Sequence, residues 1–76
     1  MTYKPEIPKS QLELYRAVAR AYRSARRRGA RRQEWHWAAV REVIQRCPEM
    51  SHREAYEFAG HIVGHVSLNY RKWFWG

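Results

Sequence analysis

Past residue 8 the chain holds a single proline, Pro48, and nowhere does it alternate apolar and polar residues for long. Proline is the strongest helix breaker, and a period of two marks the strand. With both missing, helix is the element open to most of the sequence. The apolar residues recur instead at spacings of three and four. The fold class that follows is all-α, a small three-helix bundle with helices over about 11–28, 31–46 and 52–73. The opening "KPEIPKS", with Pro5 and Pro8, reads as an extended lead-in over residues 1–9. Residues 10–76 then form a single helical domain.

The punctuation supports these bounds. Ser10 and Glu13 form a capping box, as do Ser51 and Glu54: the serine oxygen takes an orphan amide, and the glutamate reaches back to the cap amide. Along helix 1, Leu12, Tyr15, Val18, Ala19 and Tyr22 share one face. Helix 2 presents Ala39, Val43, His36, Cys47, Val40, Ile44 and Trp37 on a broad apolar face, with Trp35 on the polar side. Pro48 stops helix 2, because the residue before proline avoids the helical region. Helix 3 offers Ala55, Ala59, Ile62, Val66, Tyr70 and Trp73, flanked by Tyr56, Val63 and Phe74.

Helices 1 and 2 are either separate or one rod through Gly29, because their stripes stay in phase across the junction. Three features favour a hairpin. The stripe between Tyr22 and His36 has nothing sizeable to bury. Glycine costs about 1 kcal/mol against alanine inside a helix. Arg26, Arg27, Arg28, Arg31 and Arg32 would repel one another if wound together. A continuous rod would need a partner rod, and hence an oligomer.

Seventy-six residues make one small domain. A chain of this size buries only about 60% of its unfolded surface, so a homodimer is an expected means of added stability. It has no room for a lobed active site. Lys+Arg number 15 against seven acids, a formal net charge of +8, and lysine occurs only at positions 4, 9 and 72. Arginine binds phosphate and carboxylate bidentately and stacks on flat rings. The expected partner is therefore nucleic acid or an acidic protein surface. One cysteine excludes an internal disulfide. The N-terminal residues contain no apolar run, so no signal peptide is expected, and no segment has the roughly 20 apolar residues of a membrane span. A cytoplasmic location is the expectation.

Arg16, Arg20, Arg23 and Arg27 stand at i, i+4, i+7 and i+11, a ridge opposite the tyrosine face. Arg26, Arg28, Arg31 and Arg32 extend it into a basic edge that suits a phosphate backbone. Trp35, beside that edge, is a candidate for base stacking or a protein contact. Gly60 and Gly64, continued by Leu68, form a helix 3 ridge that suits close approach of another backbone. That backbone belongs either to the bundle itself or to a partner; with Trp75 the ridge makes the candidate protein interface. Glu57, His61 and His65 are one turn apart on the polar side, but a fourth metal ligand is lacking, so no metal is expected. A Cys47 nucleophile with His36 or His52 lacks an orienting group. No cofactor motif is present, and no enzymatic activity is expected.

Two functions compete. In one, the chain binds DNA or RNA through its arginine edge. A narrower form treats helices 2 and 3 as a helix-turn-helix with His52, Arg53, Tyr56 and Glu57 toward a groove, although helix 3 is long for that role. In the other, it is an inhibitor or adaptor of the phage or mobile-element type that docks on a host protein through the helix 3 ridge. A peripheral membrane role for "RKWFWG" is the weakest reading.

Overall fold

The chain turns back on itself at Gly29, whose φ of +80° lies in the left-handed region that L side chains avoid. The computed structural model describes residues 11–75. It contains α1 (Leu12–Arg27), α2 (Arg32–Arg46), α3 (His52–Asn69) and α4 (Arg71–Trp75), and among the described residues no strand. The fold is all-α, a small helical bundle. The extended lead-in and the Ser10 capping box fall outside the described residues.

The α1–α2 turn is a Schellman closure. The Gly29 amide donates to the Arg26 carbonyl (3.1 Å) and the Ala30 amide to the Ala25 carbonyl (3.2 Å). These bonds satisfy carbonyls that the helix end would leave orphaned, and they require the left-handed residue that glycine supplies. At the α2–α3 junction the Met50 amide donates to the Cys47 carbonyl. The Ser51–Glu54 capping box is complete: the Glu54 amide donates to Ser51 Oγ, and the Ser51 amide donates to Glu54 Oε1, each at 3.1 Å.

The core gathers Tyr15, Val18 and Ala19 from α1, Ala39, Val40 and Val43 from α2, and Ala55, Ala59, Ile62 and Val66 from α3. Alanine is frequent here because small side chains let helices approach closely. The resulting body measures 38 × 31 × 17 Å, and its short dimension holds about two helix layers at 8–10 Å each. A body so thin cannot cover every residue of a broad apolar stripe.

That limit accounts for one departure from the sequence expectations. Trp37, Tyr56, Tyr70 and Trp73, assigned to apolar faces, are 52, 49, 38 and 40% exposed. They lie at stripe edges, where a neighbouring helix touches a ring without covering it: Trp37 and Tyr56 meet only edge to face, and Trp73 lies under Arg23. A second departure is that helix 3 does not run to residue 73. It ends at Asn69, Tyr70 takes φ −130° and ψ 48°, and α4 sets off anew. The break puts Phe74 fully inside the core. Burying a phenylalanine stabilises by about 1.5–3 kcal/mol, more than the roughly 1 kcal/mol net of one interrupted helix bond. The Asn69 side chain, bonded to the His65 carbonyl at 2.9 Å, competes with the ladder at the same place.

Nor do the glycines of α3 meet another backbone inside the bundle. A methyl group at Gly64 would touch nothing within 4 Å, and at Gly60 it would meet only His36 Cε1 at 3.7 Å. Two substitutions should therefore move stability in opposite directions in urea titrations. Gly64→Ala should stabilise by about 0.8–1 kcal/mol through helix propensity. Gly29→Ala should destabilise by about 1–2 kcal/mol, the cost of the left-handed conformation for an L residue.

Candidate nucleic-acid interface

Helical spacing brings the ridge of α1 to one side, and the docking of α4 then divides it. Arg16, Arg20 and Arg27 are exposed, and Arg28, Arg31 and Arg32 surround the α1–α2 turn in the open. Arg23 and Arg26 are half-buried under the C-terminal rings. The Arg26 guanidinium lies 4.7 Å from the Trp75 ring and 5.5 Å from the Phe74 ring, and its Nη2 donates to the Phe74 carbonyl at 2.7 Å. Arg23 stands 5.0 Å over Trp73. Arg23 Nε and Arg26 Nη1 are buried without a hydrogen-bond partner. Loss of solvent, then the nearby charges of Arg27 and Arg26, hold the Arg23 pKa below its ordinary value. These two residues fasten the fold, while the others point outward.

Among the described residues, two carboxylates pair with arginines away from α1 and its turn. Glu42 pairs with Arg46 on α2 (2.9 Å), and Glu57 lies 3.5 Å from Arg53 on α3. Arg16, Arg20, Arg28, Arg31 and Arg32 have no carboxylate partner among the described residues. Exposed cations of one sign with no internal counter-charge raise the local positive potential.

Trp35, a candidate contact residue, also packs within the fold. It is half-buried, its Nε1–H donates to the Ala30 carbonyl at 2.7 Å, and its ring meets Tyr22 edge-on at 5.9 Å. Tyr22 in turn stacks on Phe74 at 5.3 Å. Trp75 is 54% exposed but packs on Phe74 at 4.9 Å beneath Arg26. These rings gather beside the turn end of the α1–α2 hairpin.

Beside the ridge lies a groove of about 510 Å³ that the sequence did not reveal. Leu12, Tyr15, Ala19 and Val66 form its base, Tyr70 and Trp73 one wall, and Arg16 and Arg20 its rim. Among the described residues, no acidic side chain lines it. The spacing of Arg16 and Arg20 was legible; the open space between them and Tyr70 and Trp73, which follow the end of α3, was not.

A second surface forms at the α2–α3 seam. His36 meets Tyr56 at 4.5 Å and Trp37 meets it at 5.9 Å, with exposed Gly60 beside His36. Leu68, 67% exposed, projects from the far end of α3. The expected separation of His61 and His65 from the core holds for His61 alone. His65 is half-buried, with its ring edge-on to Tyr15 at 5.8 Å. Among the described residues no three His, Cys, Asp or Glu side chains gather as metal ligands would, and no helix is long and apolar enough to cross a membrane.

The sequence matches no protein-family model, and searches of curated proteins and of solved structures return no match.

Two predictions follow from this packing. Phe74→Ala removes the ring on which Tyr22, Trp75 and Arg26 converge, and should cost about 3–5 kcal/mol in urea unfolding. The second concerns His36, whose pKa is lowered by loss of solvent, with the Tyr56 backbone acting in the opposite sense. The folded chain thus binds this proton less readily than the unfolded chain does. The associated stability is complete above the unfolded value of about 6.5 and declines as pH falls toward the folded value. Unfolding free energy measured at pH 7.5 and 5.0 should fall with pH, and His36→Gln should flatten that fall.

Proposed function

We propose that this chain is a non-enzymatic module that binds nucleic acid through the outward arginines of α1 and the α1–α2 turn. The observation that carries the reading is the lack of any carboxylate partner for Arg16, Arg20, Arg28, Arg31 and Arg32 among the described residues. Five guanidinium groups on one helix and its turn offer repeated bidentate contacts to phosphate. Arg16 and Arg20 stand about 6 Å apart along the helix axis at 1.5 Å per residue. Such contacts position a backbone without reading its sequence.

Nucleic-acid binding makes a quantitative demand. Each phosphate neutralised releases a counterion, so binding to duplex DNA should weaken with salt at a log–log slope of about −0.9 per contact. Anisotropy titrations with a mixed-sequence duplex between 50 and 200 mM salt measure the slope. Arg28→Glu with Arg31→Glu should weaken binding by about tenfold or more and make the slope shallower, because two contacts are lost and like charge is placed against phosphate. Lack of binding at 50 mM salt to any duplex or single strand, DNA or RNA, would end this reading.

The seam surface favours a second reading, a stoichiometric inhibitor or adaptor of the phage or mobile-element type. Exposed Trp37 and Tyr56 in edge contact beside Gly60 make an aromatic patch of the kind that anchors protein interfaces. Such binding would survive nuclease treatment of a host lysate and would be lost in Trp37→Ser. A homodimer across the same patch would appear as twice the chain mass in size-exclusion chromatography with light scattering.

A further inference from the structure

We propose that the groove between α1 and the α3–α4 break takes unstacked bases, so that the preferred ligand is single-stranded nucleic acid. This rests on the arginine-face reading above and names its substrate class. The groove combines two features. Its rim carries Arg16 and Arg20, while the exposed rings of Tyr70 and Trp73 supply aromatic surface with Leu12, Tyr15, Ala19 and Val66 beneath. Its volume of about 510 Å³ falls in the range of about 300–1,000 Å³ typical of sites that hold small organic ligands. A flat apolar ring beside an anionic group matches both features at once, and that is the chemistry of a nucleotide.

The surroundings select a polymer over a free nucleotide. Beyond the stretch that α4 covers at Arg23 and Arg26, basic surface resumes at Arg28, Arg31 and Arg32 at the other end of α1, exposed and without carboxylate partners among the described residues. From Arg16 to Arg28 the axial span is about 18 Å. A mononucleotide or a fatty acid in the groove leaves that stretch unmatched. A strand whose bases enter the groove and whose phosphates continue along α1 matches all of it. Duplex DNA or RNA offers phosphates to the same arginines, but its bases are paired and stacked and do not enter. Single-strand binders combine a basic track with aromatic platforms in this way.

The test compares a 12-nucleotide oligothymidine with a blunt hairpin duplex of equal phosphate count, by anisotropy at 50 mM salt. The single strand should bind at least about fivefold more tightly, the lower end of what one stacked base contributes. Tyr70→Leu keeps bulk but removes the ring; it should abolish that preference and leave duplex affinity unchanged. Arg16→Gln with Arg20→Gln should weaken both ligands and make the single-strand salt slope shallower by about 0.7 per lost contact. A crosslinking measurement on the unaltered protein covers the case in which Tyr70→Leu unfolds. An iodouridine oligomer, irradiated and mapped by mass spectrometry, should mark Tyr70 or Trp73. Equal affinity for both ligands, an unaffected Tyr70→Leu, or adducts confined to Trp37 and Tyr56 would overturn the groove assignment and leave the arginine-face reading standing. No binding to either ligand would overturn both.

Discussion

The burial of Phe74 sets the arrangement on which the rest depends. Its ring is fully inside, stacked on Tyr22 of α1, and its carbonyl accepts from Arg26. A buried phenylalanine is worth about 1.5–3 kcal/mol, and a hydrogen bond from a charged donor about as much. Cation–π contacts from Arg23 and Arg26 to the α4 rings act in the same direction. Together these outweigh the cost of breaking α3 at Tyr70 and of leaving single nitrogens of Arg23 and Arg26 without partners. The same docking sorts the arginines. Two are drawn under rings and hold the fold, and those before and after them on α1 and its turn stay in solvent. It also stands Tyr70 and Trp73 beside Arg16 and Arg20, which makes a groove where a continuous α3 would have left a helix end.

The parts of this structure that were legible in the sequence are those fixed by neighbours a few residues away. Gly29 between arginines signalled a turn because a left-handed residue is a local requirement. Ser51 and Glu54 signalled a helix start because both halves of the box lie within one turn. The break at Tyr70 had only a faint local signal in Asn69. No glycine or proline stands there, and the burial of Phe74 that favours the break draws on distant partners such as Arg26, separated by 48 residues in sequence. Trp35 misled for a related reason. Helical phase put it on the polar side, but the Ala30 carbonyl that receives its Nε1–H belongs to the turn, whose path phase does not describe. Trp37 and Tyr56 misled through stripe width. A stripe shows which residues are apolar, and the thickness of the bundle decides how many of them are covered. The α3 glycines illustrate the converse, because spacing suggested a close approach that the bundle does not make.

Position along the ridge therefore mattered less than what packs against it. Arg16, Arg20, Arg23 and Arg27 are equivalent by helical geometry, yet Arg23 sits against Trp73 while Arg16 and Arg20 border open space. Replacing Arg23 by glutamate would disturb the seat of α4 as well as remove a charge, so it is a poor probe of binding. Arg28 and Arg31 lie at the turn, exposed and outside the ring contacts that Arg23 and Arg26 make, and separate charge from packing more cleanly.

Charge also couples stability to occupancy. With a net charge of +8 and its arginines concentrated on α1 and the turn, the folded chain holds like charges close together, and compact states of high net charge are destabilised by self-repulsion. The start of α2 adds to this. Arg31 and Arg32 stand at the positive pole of the helix dipole, an unfavourable placement of about 0.3–1 kcal/mol each, and Arg31 makes no side-chain cap. Only Glu34 in the first turn acts in the opposite direction. On the proposed reading, a bound polyanion would remove both penalties, and its binding free energy would include relief of repulsion within the free protein as well as direct contacts. Salt then acts on the two states with opposite signs, screening the repulsion in the free chain while competing for the arginines in the complex. A protein that only used arginine for solubility would share the first effect and lack the second.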